Sequence, residues 1–313
     1  MRARFKNSLL CDSSQGFHSE TIGLIYGFLG VLTFSLTLPA TRVAVLELDP
    51  MIVGLGRAIV AAMLAAVLLK VTRQPRPSQR HLPSLMVIAA GVIVGFPLLS
   101  AWAMRSLPAA HGAIILGILP LATALAGALR TGARPSYAFW LCSSLGSVTV
   151  VAFALFTGGG YLQIADLALL GAVASAAVGY AEGGRLSREL GSWQVICWAL
   201  VFSTPFLAVP VAITIAHHGL HASFQSWLGF GYVSVFSMFL GFFAWYHGLA
   251  IGGVARVSQV QLLQPFLTLF ASALLLHEPI TPLTIGTALI VVIVVVLGRK
   301  APISNTTKRR GKV

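Results

Sequence analysis

Ten apolar stretches separated by short polar breaks fill the chain from Thr21 to Leu297. A bilayer core about 30 Å thick takes roughly 20 apolar residues per helical crossing, and only segments that satisfy their own backbone hydrogen bonds survive in it. The pattern therefore predicts an all-α integral membrane protein and excludes an ordinary water-soluble fold. Composition bears on this once: 57% of residues are hydrophobic and 9% charged, where a soluble domain carries about 25% charged residues.

The crossings are expected near Thr21–Val43, Met51–Val71, Leu85–Ala103, Ala109–Leu129, Tyr137–Phe156, Leu167–Gly184, Trp193–Ile215, Trp227–Leu249, Ala255–Leu276 and Leu283–Leu297. Residues 1–20 form a polar tail and 299–313 a basic one. The first apolar stretch runs past signal-peptide length without a cleavage pattern, so it is expected to be retained. Cys11, Cys142 and Cys197 are far apart in sequence, and His217, His218 and His221 share a loop without carboxylate partners. Neither set has metal-ligand spacing, so no metal and no cofactor is expected.

A formal charge of +13 suggests an anionic partner until its distribution is considered. An even number of crossings puts both termini on one side, and with that side inside, only Arg42 and Arg105 of the 21 basic residues fall in outer loops, while Arg57 lies within the second crossing. The positive-inside rule then makes both tails cytoplasmic. The basicity reports topology, and no nucleic-acid partner is expected.

Shifting the chain by 145 residues aligns Ala101–Leu129 with Tyr246–Leu274, bringing Pro120 onto Pro265 and Thr123 onto Thr268. The chain thus divides into a first five-helix unit, 21–157, and a second, 166–298. Five is odd, so the two units are expected to lie upside down relative to each other, as in many carriers.

Phe34 stands eight residues before Arg42, a spacing mirrored by Tyr180 before Arg188. Asp49, Pro50 and Arg57 open the second crossing, Leu107-Pro108-Ala109 precedes the fourth, and Leu276-His277-Glu278-Pro279-Ile280-Thr281 joins the ninth to the tenth. In these features the chain resembles the drug/metabolite transporter superfamily, specifically its ten-helix EamA-type members. It departs from the pattern at Gly132-Ala133-Arg134, where a Gly-Glu turn is usual, and at Glu182. The resemblance implies a multi-pass carrier of the cell inner membrane that exports a small metabolite or drug. It further implies a cavity lined mainly by the first, third, fourth, sixth, eighth and ninth helices. Substrate, direction, proton coupling and the choice between monomer and homodimer stay open.

Only Glu182 of the eight carboxylates falls inside an expected crossing. There it is a candidate for proton coupling or for binding a substrate amine. Alternatively it pairs with Arg185, three residues on, as a wetted pair near the helix end. Arg57 reads either as an architectural anchor or as an anion-binding group, about 10 Å below the outer face.

Ser258, Gln261, Gln264, Pro265, Thr268 and Ser272 share one arc of the ninth helix and form a candidate substrate-binding face, the alternative being interhelical hydrogen bonding. Pro120 and Pro265 each remove a helical hydrogen bond and free the carbonyls of Leu116 and Gln261, for a solute or merely for a kink. Tyr180 is a candidate stacking residue, whereas Trp102, Trp245 and Tyr246 read as interfacial anchors. Gly91, Gly95, Gly179 and Gly183 read as helix-packing positions.

The sequence thus points to a carrier working by alternating access, as an exporter or as an uncoupled facilitator or uptake system. A membrane enzyme or a non-transporting sensor is the rival from another class. The enzyme lacks a nucleophile–base pair or metal cluster at membrane depth, and the sensor lacks an effector domain.

Overall fold

The structure is a computed structural model and describes residues 21–131, 134–157, 162–300 and 303–304. The N-terminal tail, Gly132-Ala133 and residues 305–313 of the basic tail lie outside the described residues. Eight helices are long and apolar enough to cross a membrane: α1 Thr21–Ala44, α2 Ile52–Val71, α3 Gln79–Ala103, α4 Ala109–Arg130, α5 with the apolar stretch Trp140–Thr157, α6 Ile164–Leu190, α7 Ser192–His218 and α8 Phe224–Gly252. Two shorter apolar helices follow, α9 Val260–Leu276 and α10 Pro282–Leu297. Large apolar side chains such as Val67, Phe156, Phe206 and Phe270 point outward. In a bilayer such a girdle is matched to lipid rather than water.

Loops after odd-numbered helices gather at one end of the bundle, here the odd end. Arg42 donates to the carbonyls of Met104 and Arg105, and the Ser223 N–H donates to Glu47. Loops after even-numbered helices gather at the other, where Gln194 donates to Gln74 and Arg134–Pro135 pairs antiparallel with Ile303–Ser304.

Helices with little side chain at the crossing approach most closely. α3 crosses α6 where a Cβ on Gly91 would stand 2.6 Å from the Ser175 carbonyl oxygen, and α1 crosses α8 where a Cβ on Gly23 would stand 2.6 Å from the Gly252 Cα. Further close pairs are α2 with α7, α4 with α9, and α5 with α10.

α6 runs six residues beyond the expected stop at Gly184, to Leu190. Arg185, Arg188 and Glu189 end the apolar run there without ending the hydrogen-bonded helix, which also begins earlier, at Ile164 behind a capping box made by Gln163 and Asp166. Trp245 and Tyr246, expected at the interface, are fully buried, because α8 continues past them to Gly252 and packs that face on α1 and α6. Tyr246 donates to the Gly179 carbonyl over 3.3 Å.

Candidate substrate site

A closed cavity of about 10 Å³, room for one water, lies at the centre of the bundle. Phe34 and Thr37 of α1, Arg57 of α2, Val92 and Phe96 of α3, Leu119 of α4, Tyr180 of α6, Ser237, Met238 and Phe242 of α8, and Gln264 of α9 enclose it. Its helices are those the resemblance implied, with α2 added. That addition supplies the cavity's one charged group, Arg57.

Three lining segments are not regular α-helix. Ile52–Gly56, directly before Arg57, Ala89–Gly95, which contains Val92, and Val233–Leu240, which contains Ser237 and Met238, are π-helical. A π-turn accommodates one more residue than an α-turn and rotates the downstream side chains about the axis, which is why such turns recur at functional sites. Here they flank the cavity from three sides.

The aromatic wall is built by Phe34, Tyr180, Phe242 and Trp245. Phe34 and Tyr180 lie 6.2 Å apart and nearly parallel, at 13°, and Phe242 stands 5.1 Å from Phe34. Trp245 backs Tyr180 at 5.5 Å. Polar groups complete the lining, with the Thr37 and Ser237 hydroxyls sharing a 2.8 Å hydrogen bond.

Arg57 is 1% exposed, and its Nε and Nη2 have no hydrogen-bond partner. No described carboxylate is free to pair with it. Glu47 accepts from the Ser223 N–H and Asp49 from the Met51 N–H at 2.8 Å. Asp166 holds His111 at 2.7 Å and accepts from the Gln163 N–H at 2.9 Å. Glu278 accepts from the Ala109 and Ala110 N–H groups at 2.9 and 2.8 Å. Glu182 and Glu189 are engaged by other cations.

Glu182 lies at the even end, away from the central cavity. Arg185 Nη2 donates to its Oε1 at 2.7 Å, and Arg130 Nε stands 2.8 Å from its Oε2 as a charge contact rather than a directed hydrogen bond. Arg185 also reaches Glu189 at 2.9 Å and Ser84 at 2.8 Å, so the cluster ties α6 to α3 and α4. The Arg185 pair weighed from the sequence is present, and Arg130 joins it.

The six polar-arc residues of α9 are all buried, but only Gln264 lines the cavity. Thr268 donates to the Ser35 carbonyl at 2.9 Å and Ser258 to the Val254 carbonyl at 2.6 Å. Gln261 keeps both amide atoms without a partner. Its backbone carbonyl, expected to be freed by Pro265, accepts from the Gln264 N–H within a 3-10 segment, Ser258–Leu263. Pro120 and Pro265 each sit in the first turn of a helical segment after a break, Leu119–Thr131 and Gln264–Leu276. Of the residues proposed from sequence, the structure brings Tyr180 and Gln264 together and leaves Glu182 apart.

Sequence reasoning missed Phe34, Thr37, Ser237 and Phe242 as lining residues and did not select Arg57. A signal for Arg57 existed, since an intramembrane arginine without a carboxylate at helical spacing is itself a functional marker.

The odd end carries a second space, of about 540 Å³, lined by Arg42, His111, Thr157, Gln163, Glu278 and Thr284 among others. His111 is fixed there by Asp166 on Nε2 and by Thr157 at 3.1 Å on Nδ1. No corresponding carboxylate cap is seen at the even end among the described residues; the Glu182 cluster stands there.

A lipid-facing helical bundle around a closed, partly polar chamber defines a multi-pass membrane transporter. The chain belongs to the EamA-like transporter family, which matches residues 21–156 and again 163–298. It is 46% identical over 281 residues to the uncharacterized transporter YdeK of Bacillus subtilis (strain 168), covering 90% of this chain and 96% of that protein. It is 26% identical over 275 residues to a protein of Streptantibioticus cattleyicolor described as a probable terminal-alkyne amino-acid exporter, covering 87% and 92%. A solved crystal structure shares the fold at a TM-score of 0.63 and 16% identity, covering 88% of this chain and 97% of that one.

Proposed function

We infer that the chain is a ten-crossing secondary carrier, built as two inverted five-helix halves, that moves a small metabolite out of the cell by alternating access to the central chamber. The observation that carries this reading is a central, partly polar cavity lined by seven helices, between an odd end that holds a separate space of about 540 Å³ and an even end where Arg130 and Arg185 pair with Glu182.

Exchanging the halves turns the α1–α8 contact into α6–α3 and maps α2–α7, α4–α9 and α5–α10 onto themselves, a pattern expected of a pseudo-two-fold axis in the membrane plane. Phe34 and Tyr180, corresponding residues of the two halves, face each other across that axis. The charge bias supports a cytoplasmic even end and cytoplasmic tails in an inner-membrane protein. Outward direction draws on the similarity to a described amino-acid exporter.

In this reading the Glu182 cluster is the cytoplasmic gate, and Tyr180, Gln264, Gln261 and Thr268 belong to the substrate path, with Pro120 and Pro265 at its helix breaks. Glu182 is also our candidate for proton exchange, because opening this end by parting α4 from α6 separates it from Arg130 and leaves it only Arg185 of its own helix. Uncoupled facilitation is a second reading, favoured by the charge balance those two pairs give Glu182 while closed.

Solute counterflow in proteoliposomes, run with and without a pH gradient, tests both. Glu182→Gln should keep counterflow and lose the response to the gradient; an unchanged gradient response would remove the proton role and leave the carrier. Absence of counterflow from a wild-type protein loaded with a complete small-molecule cell extract would remove the carrier itself.

A further inference from the structure

The geometry points to Arg57 as the anchor for a carboxylate group of the transported solute, whose apolar body lies against Phe34, Tyr180 and Phe242. This rests on the carrier reading and names the substrate class of the same chamber.

A guanidinium carries five N–H donors in a planar fork shaped for an oxyanion. Arg57 is 1% exposed, and the three donors on Nε and Nη2 meet no acceptor. A buried charge is tolerated where it is paired. The described carboxylates are taken up by backbone N–H groups, His111, Arg130 and Arg185 at the two ends of the bundle, so none supplies the partner. The partner must come with the solute.

Charge selects the class of oxyanion. A single guanidinium with no Lys or second Arg on the cavity wall balances one negative charge, as a carboxylate carries. A phosphate monoester carries nearly two at neutral pH and would leave a net charge buried in low dielectric. The remaining wall is aromatic or aliphatic apart from Thr37, Ser237 and Gln264, which suits an apolar or aromatic body with a few polar atoms. The chamber holds about one water when closed, so a solute enters only as the lining helices part. The π-helical turns at Ile52–Gly56, Ala89–Gly95 and Val233–Leu240 place non-α geometry beside that movement.

The test uses the full chain purified in detergent, with four probes sharing one phenyl body: 3-phenylpropanoate, phenylacetate, phenethylamine and phenyl phosphate. Thermal unfolding midpoints at millimolar probe should rise with 3-phenylpropanoate and phenylacetate and stay unchanged with phenethylamine. Arg57→Lys, which keeps the charge and loses the fork, should weaken both carboxylates about tenfold. Arg57→Met should abolish both shifts. No shift from either carboxylate, an equal shift from phenethylamine, a stronger one from phenyl phosphate, or undiminished shifts in Arg57→Lys would each overturn the assignment. Should Arg57→Met not be monodisperse, the wild-type panel and Arg57→Lys decide. Counterflow by the wild type that ignores carboxylates sinks only this inference, whereas no counterflow with any extract solute sinks the carrier.

Discussion

Glu278 reaches from the α9–α10 loop to the first turn of α4, where its two oxygens accept the N–H groups of Ala109 and Ala110. A carboxylate on a helix N-terminus satisfies donors that have no partner within the helix and meets the positive end of the dipole. Two motifs legible in the sequence, Leu107-Pro108-Ala109 and His277-Glu278-Pro279, are thus two sides of one contact; their separation of 169 residues concealed it. Glu278→Ala should cost about 1–2 kcal/mol of stability, read as a lower unfolding midpoint. On the same end, hydrogen bonds from Ser223 hold the Glu47 carboxyl below its ordinary 4.5. A lowered folded value means the contact contributes fully above pH 4.5 and is lost as pH falls through that lower value. The link between the α1–α2 and α7–α8 loops should therefore weaken only in acid. Cysteine cross-linking of the two loops across a pH series checks it, and Glu47→Gln should flatten the profile.

At the scale of elements, small residues decide which helices touch. A Cβ on Gly91 would meet backbone, the Ser175 carbonyl oxygen, at 2.6 Å, whereas one on Gly127 meets nothing within 4 Å. Gly91→Ala should destabilise by about 1–3 kcal/mol through forced separation of α3 and α6, and Gly127→Ala should be neutral or slightly stabilising. Detergent unfolding curves of the two variants give the comparison. Helix positions were legible because lipid requires unbroken apolar length. The extension of α6 to Leu190 was not, because Arg185 and Glu189 break the apolar run while the pairs of Arg185 with Glu182 and Glu189 run along the continuing helix. The π-helical turns also leave no compositional trace: Ile52–Gly56 and Ala89–Gly95 contain the same Val, Ile, Ala and Gly as the regular crossings.

At the scale of the whole molecule, one departure from the family pattern, Glu182, meets at the even end the arginine that leads in sequence to the other. Arg130 precedes the Gly132-Ala133-Arg134 segment, and its contact is Glu182. An end without the usual acidic turn is thus joined by a carboxylate on α6. Breaking that join should favour conformations open at that end: in Glu182→Gln, a cysteine placed at Ala181, which lines the small even-end space beside Glu182, should react faster with a membrane-impermeant maleimide. Which side chains converge on the chamber was not readable from sequence. Arg57 and Tyr180 are 123 positions apart on different helices and come together only as lining of one chamber.

The unpaired guanidinium in that chamber has an electrical consequence. On the alternating-access reading proposed above, an empty carrier holds a fixed elementary charge in its site, and a charge whose accessible side alternates is worked on by the membrane voltage, by up to about 2.3 kcal/mol across 100 mV. An interior-negative potential draws the vacant Arg57 site toward the cytoplasm. For an exporter that is the reset stroke, so the return of the empty carrier should quicken with voltage and slow when the membrane is depolarised.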